Sequence, residues 1–233
     1  FTLGFAFGYH DAGIAVLKNQ EILGVYSEER FSRIKHDSAF PSKALEYAFK
    51  RHQITTDKIS SVYYYENPAL KLLRIAQSHK TSEEFWRYLM VRNKVNNLKN
   101  PIEKISEEVG VSQNIIKIVD HHISHLFSSL TMIEDNFIND DTYGLVIDGV
   151  GEFDTITGYK FYQQDGDFFP EKIFSSKLPN SLGLFYAAVT AFLGFEVNEA
   201  EYRVMGLAAY GEPTYIDDFL KIVAYDEERG IVL

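Results

Sequence analysis

The sequence contains 233 residues, 45% of them hydrophobic, with a formal net charge of −10 and no cysteine. This length can bury a full core and predicts one large domain or lobe, while the missing thiols exclude disulfides, thiolate metal ligands and cysteine nucleophiles. The acidic charge argues against a nonspecific nucleic-acid surface, which needs a basic face. No apolar run reaches the roughly 20 residues of a membrane span and no signal-peptide pattern opens the chain, so we expect a cytoplasmic protein without a membrane partner.

The N-terminal half predicts an antiparallel meander followed by helices. Short apolar runs separated by turn residues indicate the strands. Ser42, which follows Pro41, is expected to N-cap a helix that ends near His52. Residues 68–110 are interpreted as an insertion of two or three helices. The expected strands cover residues 2–7, 12–17, 21–27 and 60–65.

The C-terminal half predicts further strands that alternate with helices. The expected helices cover residues 123–133 and 181–193. The expected strands cover 115–119, 143–147, 155–162 and 168–176, the first of them buried. Together with the N-terminal meander, these elements indicate an α/β fold with a mixed sheet and flanking helices.

Three of the seven histidines fall within five residues at the start of an expected helix. His121 and His125 are four residues apart, so a helix places both rings on one face, with His122 rotated roughly 100° away. Asp148, at the end of an expected strand, can supply a third, anionic ligand. Two imidazoles and a carboxylate suit a divalent transition metal such as iron, manganese or zinc. The alternative is that the histidines are polar residues at a helix start, one of which satisfies a core hydrogen bond.

The order of the expected elements is typical of the actin-like, sugar-kinase and heat-shock ATPase superfold, a ribonuclease H-like architecture. In such folds tight turns between strands present backbone N–H groups to phosphate, and two lobes close over a nucleotide. The segments 8–13 and 148–152 would be those turns in this chain. Gly149 and Gly151 in the second turn permit the close backbone approach that an anion needs.

Five motifs are spread along the chain, with residues 68–110 as the stretch that lacks one. They occur in the order seen in O-carbamoyltransferases, the family that includes the nodulation-factor, cephalosporin and tobramycin carbamoyltransferases, and the chain resembles that family. The motifs are Gly8-Tyr9-His10-Asp11, residues 27–37 (SEERFSRIKHD) with Phe40-Pro41, residues 120–125 (DHHISH), residues 147–152 (IDGVGE) and residues 203–211 (RVMGLAAYG).

The resemblance implies a two-part enzyme. A C-terminal domain similar to the YrdC fold makes carbamoyladenylate from carbamoyl phosphate and ATP, and an N-terminal Kae1-like domain transfers the carbamoyl group to a hydroxyl of a small-molecule or sugar acceptor. Residues 1–233 resemble the first portion of the Kae1-like domain, so the second lobe, a further metal-ligand aspartate and the YrdC-like domain would lie beyond Leu233. His121, His125 and Asp148 would bind the metal, with iron preferred over manganese or zinc. The chain alone would be inactive.

Two further groups of residues are expected to act on the substrates. His10 is the candidate general base, because an imidazole with an ordinary pKa of about 6.5 accepts a hydroxyl proton near neutral pH. Its alternative role is that of a turn histidine bonded to Asp11 or to solvent. Arg30, Arg33 and Lys35 suit the binding of a phosphate or carboxylate. Their alternative is a solvated loop balanced by the neighbouring glutamates.

Three functions are compatible with these observations. The first is metal-assisted carbamoyl transfer. The second is threonylcarbamoyl transfer to tRNA by a Kae1-type protein, although the basic motif at residues 30–36 and the acidic charge favour the first. The third is a non-catalytic actin-like ATPase or scaffold lobe, which needs no metal at His121 and His125. The acceptor stays unassigned, because selectivity depends on pocket shape, and a homo-oligomer stays open.

Overall fold

The computed structural model describes residues 1–19, 21–78, 100–133, 138–139, 141–226 and 230–232. The chain divides into two compact units, Phe1–His121 and His122–Leu233. The described residues form a five-stranded sheet in the first unit, and a three-stranded sheet with a separate two-stranded ribbon in the second. No described helix combines the length and the apolar character needed to cross a membrane.

The first unit begins with the predicted meander. Its strands are β1 (Thr2–Ala6), β2 (Gly13–Lys18), β3 (Glu21–Ser27), β4 (Ser61–Tyr64) and β5 (Ile116–Ile118). Its helices are α1 (Glu29–Ser32), α2 (Ser42–His52), α3 (Pro68–Ser78) and α4 (Pro101–Val109), with 3₁₀ turns at Thr56–Lys58 and Gln113–Ile115. Helices α3 and α4 lie in the predicted insertion 68–110, whose residues 79–99 are outside the described part.

The five-stranded sheet is mixed, in the order β3-β2-β1-β4-β5. Strands β1, β2 and β3 pair antiparallel, whereas β4 runs parallel to β1 and β5 runs parallel to β4. Parallel neighbours require crossover connections, and α2 lies in the connection from β3 to β4. The prediction of an α/β fold with a mixed sheet and flanking helices is therefore confirmed.

The core of the first unit follows from strand alternation. Every second residue of β1 and β2 points to one face. The buried side chains on these strands are Leu3, Phe5, Ile14 and Val16, and the helices add Ala44, Ala48, Ile105 and Val109.

Two details of this unit differ from the predictions. Strand β5 was expected to be buried, but it lies at the sheet edge, and Ile118 is 44% exposed. Ser42 is the first residue of α2 rather than its cap. The N–H groups of Lys43 and Ala44 donate instead to the buried Glu28 carboxylate, at 3.2 and 2.8 Å. The negative charge of a carboxylate at this helix end also interacts favourably with the positive end of the helix dipole.

The second unit carries an antiparallel sheet in the order β6-β7-β8. Its strands are β6 (Tyr143–Gly151), β7 (Asp154–Gln164), β8 (Asp167–Lys177), β9 (Ala224–Asp226) and β10 (Gly230–Val232). Its helices are α5 (His121–Leu130), α6 (Leu182–Phe192), α7 (Glu201–Ala208) and α8 (Ile216–Ile222). The boundary between the units falls after the first residue of α5.

A small core joins α5 to the sheet of the second unit. Its buried members are Leu126, Val146, Tyr159 and Phe161. Helix α6 contacts β6. These two contacts position the part of the chain that carries the histidine motif and Asp148.

Candidate functional site

Helix α5 places His121 and His125 on successive turns, as the spacing predicts. One potential ligand atom from each of His121, His125 and Asp148 lies within 4.8 Å of the other two. His121 is the first residue of α5, so helix geometry alone sets its spacing from His125. The structure thus brings the three predicted ligands together, while their binding of a metal stays a prediction.

The donor set fits a transition-metal ion. Ligand atoms that share one ion at bond lengths of about 2.1 Å lie roughly 3–4 Å apart, and His125 Nε2 is 4.0 Å from Asp148 Oδ2. The other oxygen, Asp148 Oδ1, accepts the Gly149 N–H at 2.7 Å. That bond fixes the carboxylate with one oxygen directed to its own backbone and the other to His125.

His122 has a different environment from its neighbours. Its side chain is 1% exposed, and its Nδ1 lies 2.8 Å from Thr157 Oγ1 on β7. This is the core hydrogen bond that the alternative interpretation assigned to one of the histidines. The core hydrogen bond therefore belongs to His122, whereas His121 and His125 approach Asp148. Metal binding by these two histidines stays a prediction.

The segment after Asp148 differs from the prediction. The strand was expected to end at Ile147, but β6 continues to Gly151, with a register shift between these two residues. Gly149 and Gly151 therefore lie within the strand rather than in a turn after it. The Gly149 N–H already donates to Asp148. The phosphate-binding role of both glycines stays a prediction.

The turn after β1 holds a network of two histidines on one carboxylate. His10 Nδ1 and His36 Nδ1 each lie 2.8 Å from an oxygen of Asp11. Partial burial acts to raise the Asp11 pKa, but hydrogen bonds from His36 and His10 and their charges outweigh it, so this pKa lies below its usual 3.8. The ionised carboxylate accepts a hydrogen bond from each ring.

Backbone hydrogen bonds join this turn to the segment after α1. Gly8 N–H donates to Ser38 O at 2.8 Å, and Ala12 N–H donates to Asp37 O at 2.7 Å. Sequence reasoning missed the resulting cluster, in which atoms of Asp11, Glu29 and His36 lie within 4.8 Å of one another. The antiparallel pairing of β2 with β3 was the available signal, because it brings the segments flanking these strands side by side.

The predicted basic residues lie on α1 and the loop that follows it. Arg30, Arg33 and Lys35 are exposed. The Arg30 side chain is 80% exposed, with Nε 4.0 Å from a Glu29 oxygen. Arg33 ends α1 in the left-handed conformation, with φ of 63°. All three can reach an anion in solvent, and their binding of phosphate stays a prediction.

Comparison with known proteins identifies related chains. A family model described as carbamoyltransferase N-terminus matches residues 2–228. Uncharacterized protein sll1178 of Synechocystis sp. is 31% identical over 226 residues, which cover 92% of this chain and 35% of that protein. Nodulation protein NolNO of Sinorhizobium fredii is 29% identical over 211 residues, 88% of this chain and 28% of that protein. Uncharacterized protein MJ1051 of Methanocaldococcus jannaschii is 28% identical over 228 residues, 96% of this chain and 37% of that protein.

These alignments also show how much of each relative the chain covers. The chain spans about a third of the length of the relatives that it matches.

Proposed function

This chain belongs to the carbamoyltransferase family, and we propose that it carries the metal-assisted step that moves a carbamoyl group onto an acceptor hydroxyl. The observation that supports this most directly is the convergence of His121, His125 and Asp148 within 4.8 Å. The donor is proposed to be carbamoyladenylate, made from carbamoyl phosphate and ATP. The acceptor oxygen attacks its carbamoyl carbon, the bond from that carbon to the phosphate oxygen breaks, and AMP leaves as an anion. The acceptor is a small molecule or a sugar.

The complete protein is proposed to contain two further parts. Because the chain spans about a third of its relatives, the second lobe and a YrdC-like adenylate-forming domain are assigned to other parts of the protein. The mixed sheet in the order β3-β2-β1-β4-β5 supports assignment of the first unit to an actin-like lobe. A cytoplasmic location stays a prediction.

The metal is proposed to bind through the imidazoles of His121 and His125 and the anionic oxygen of Asp148. Iron is preferred, with manganese or zinc as alternatives. A bound divalent ion supplies positive charge that stabilises the oxyanion developing on the carbamoyl group. Asp148 is held for this role by the Gly149 N–H, which donates to its other oxygen.

His10 is proposed to accept the proton of the acceptor hydroxyl. Since the ionised Asp11 carboxylate faces His10 Nδ1 at 2.8 Å, that nitrogen carries the ring hydrogen in the neutral imidazole. The lone pair then lies on Nε2, where it can accept a proton. Arg30, Arg33 and Lys35 are proposed to bind the phosphate of the donor, and the backbone at Gly149 and Gly151 to contact it.

The test of this proposal is a transfer assay with the complete protein. Carbamoyl phosphate labelled on its carbon, ATP and a panel of hydroxylated acceptors are supplied, and a separate reaction contains tRNA, ATP, bicarbonate and labelled threonine. We expect label on a small molecule or sugar in the wild type, and loss of both transfer and bound metal in the H121A/H125A double variant. Full metal content in that variant would refute the metal site, and transfer to tRNA alone would support the Kae1-type alternative.

His10→Ala separates the base from the metal ligands. We expect this variant to lose transfer to the acceptor while it keeps its metal and its carbamoyl phosphate-dependent exchange of ATP with pyrophosphate. The adenylate-forming step is assigned to a distant domain, so it does not need His10. Loss of exchange together with transfer would show that His10 supports the structure instead.

A further inference from the structure

Helix α6 begins against the backbone that carries Asp148. A Cβ atom on Gly183 would lie 2.8 Å from both Cα and N of Gly149 and 3.0 Å from Asp148 O. Ordinary contact begins at 3.4 Å, and the atoms that it would meet are backbone atoms that cannot rotate aside. Only glycine allows α6 and the Asp148–Gly149 segment to approach this closely.

Ser181 joins the same two segments by hydrogen bonds. Its side chain is completely buried. The hydroxyl donates to Gly149 O at 2.6 Å and accepts the Leu184 N–H at 3.1 Å, so one side chain caps α6 and holds the strand. The helix start and the Gly149 peptide are therefore fixed to each other through both a close contact and a buried hydroxyl.

The Gly149 peptide in turn sets the direction of the Asp148 carboxylate. Its N–H holds Asp148 Oδ1 at 2.7 Å, while Asp148 Oδ2 lies 4.0 Å from His125 Nε2. A displacement of Gly149 moves this donor and with it the oxygen that faces His125. Metal sites accept deviations of only about 0.2 Å in their bond lengths, so a backbone shift of several tenths of an ångström is large on that scale.

We propose that Ser181 and Gly183 are positioning residues that hold Asp148 in the geometry required for metal binding. This inference rests on the proposed metal site, and it adds two residues that do not themselves contact the ion. Residues that orient ligands in this way typically change metal affinity roughly 10–100-fold when they are substituted.

The test measures the dissociation constant for Mn²⁺ by calorimetry with the complete protein. Gly183→Ala is expected to weaken the binding that depends on His121 and His125 by at least about tenfold. Gly206→Ala is the matched control, since Gly206 also lies in a helix, α7, but a Cβ there meets nothing within 4 Å. We expect the control to bind Mn²⁺ as the wild type does.

Folding is followed alongside binding, because a positioning role requires weaker binding without unfolding. Alanine has a higher helix propensity than glycine, so the substitution does not weaken α6 through propensity. A loss of Mn²⁺ affinity with an unchanged urea midpoint would therefore be attributed to displacement of Asp148. If Gly183→Ala fails to fold, Ser181→Ala decides, since it removes one hydroxyl and adds no atoms. If the folded variant, Gly183→Ala or otherwise Ser181→Ala, binds Mn²⁺ with wild-type affinity, the positioning role is overturned while the proposed metal site is not affected. A wild type that binds no Mn²⁺ would overturn the proposed metal site and this inference with it.

Discussion

The first residues of α5 show how adjacent histidines acquire different roles. His122 faces β7 and bonds to Thr157, whereas His125 is exposed and faces Asp148. The helical repeat predicts this separation, because adjacent residues are rotated by about 100° around the axis. It does not predict which face is buried, since that depends on the sheet against which the helix packs.

Removal of the His122 side chain is expected to destabilise the second unit. His122→Ala leaves the hydroxyl of Thr157, which is also fully buried, without its imidazole partner, at a cost of roughly 1–3 kcal/mol. Urea unfolding measures the change. Ser128→Ala, on the exposed part of the same helix, is the control and should stay close to the wild type. Equal effects of the two substitutions would contradict an anchoring role for His122.

Asp11 is expected to make stability depend on pH. Its folded-state pKa lies below 3.8 because the bonds from His36 and His10 outweigh its partial burial. The resulting stabilisation is fully present above the unfolded-state pKa near 3.8 and is lost as the pH falls through the lower folded-state value. Asp11→Asn should therefore be less stable than the wild type at pH 6, with a smaller difference at strongly acidic pH. The same difference at both pH values would contradict this assignment.

At the scale of single elements, helix α2 is capped by a residue outside it. Glu28 follows β3, yet its carboxylate accepts the first free N–H groups of α2. Sequence reasoning selected Ser42 because capping residues usually lie next to their helix. The distant cap was not predictable without knowing that the chain turns back after α1.

Glu28→Ala is expected to destabilise the first unit. The substitution leaves two helix N–H groups, one of them fully within the buried region, without an acceptor, and this costs roughly 1–3 kcal/mol. Glu46→Ala removes a carboxylate from an exposed position of the same helix and serves as the control. Thermal unfolding with both variants measures the difference. Matching stabilities would show that solvent replaces the cap.

The bounds of strands were predicted well where turn residues flank an apolar run, whereas the burial of a strand was predicted poorly because burial depends on its neighbours. The predicted bounds of β3 match the structure at both ends, and β1 differs only at its C-terminal end. Strand β6 extends four residues beyond its predicted end. The prediction ended the strand early because Asp148, Gly149 and Gly151 are residue types that usually form turns. The apolar run at β5 predicted burial, but its place at the sheet edge is a consequence of strand order alone.

At the scale of the whole molecule, each unit contains three consecutive antiparallel strands that are followed by helices. Strands β1 to β3 precede α1 and α2 in the first unit, and β6 to β8 precede α6 in the second. The sequence shows no repeat, so this similarity belongs to backbone arrangement. Strands β7 and β8 have 11 residues each and are longer than β1, β2 and β3, which have 5, 6 and 7.

The candidate metal ligands, the Asp11 cluster and Gly183 were predictable to different extents. His121, His125 and Asp148 were found by spacing, because a helix and the strand after it constrain where such ligands lie. Asp11 and His36 make contact across 25 positions of the chain. The predicted pairing of β2 with β3 indicates only that the segments flanking these strands come close, and it does not show which side chains meet. Gly183 was missed because its importance comes from atoms on another element.

The approach of His125 to Asp148 has a consequence for stability. An ion held by both residues would act as a cross-link between α5 and β6, closing the loop between residues 125 and 148. Because the unfolded chain does not hold the two residues together, binding would raise stability by up to about 2.7 kcal/mol at a free metal concentration 100 times the dissociation constant. Melting temperatures recorded with Fe²⁺, Mn²⁺ and Zn²⁺ would then rank the ions by affinity, and the rise should vanish in the H121A/H125A variant. The thermal stability of the protein would thus report which metal ion it binds most tightly.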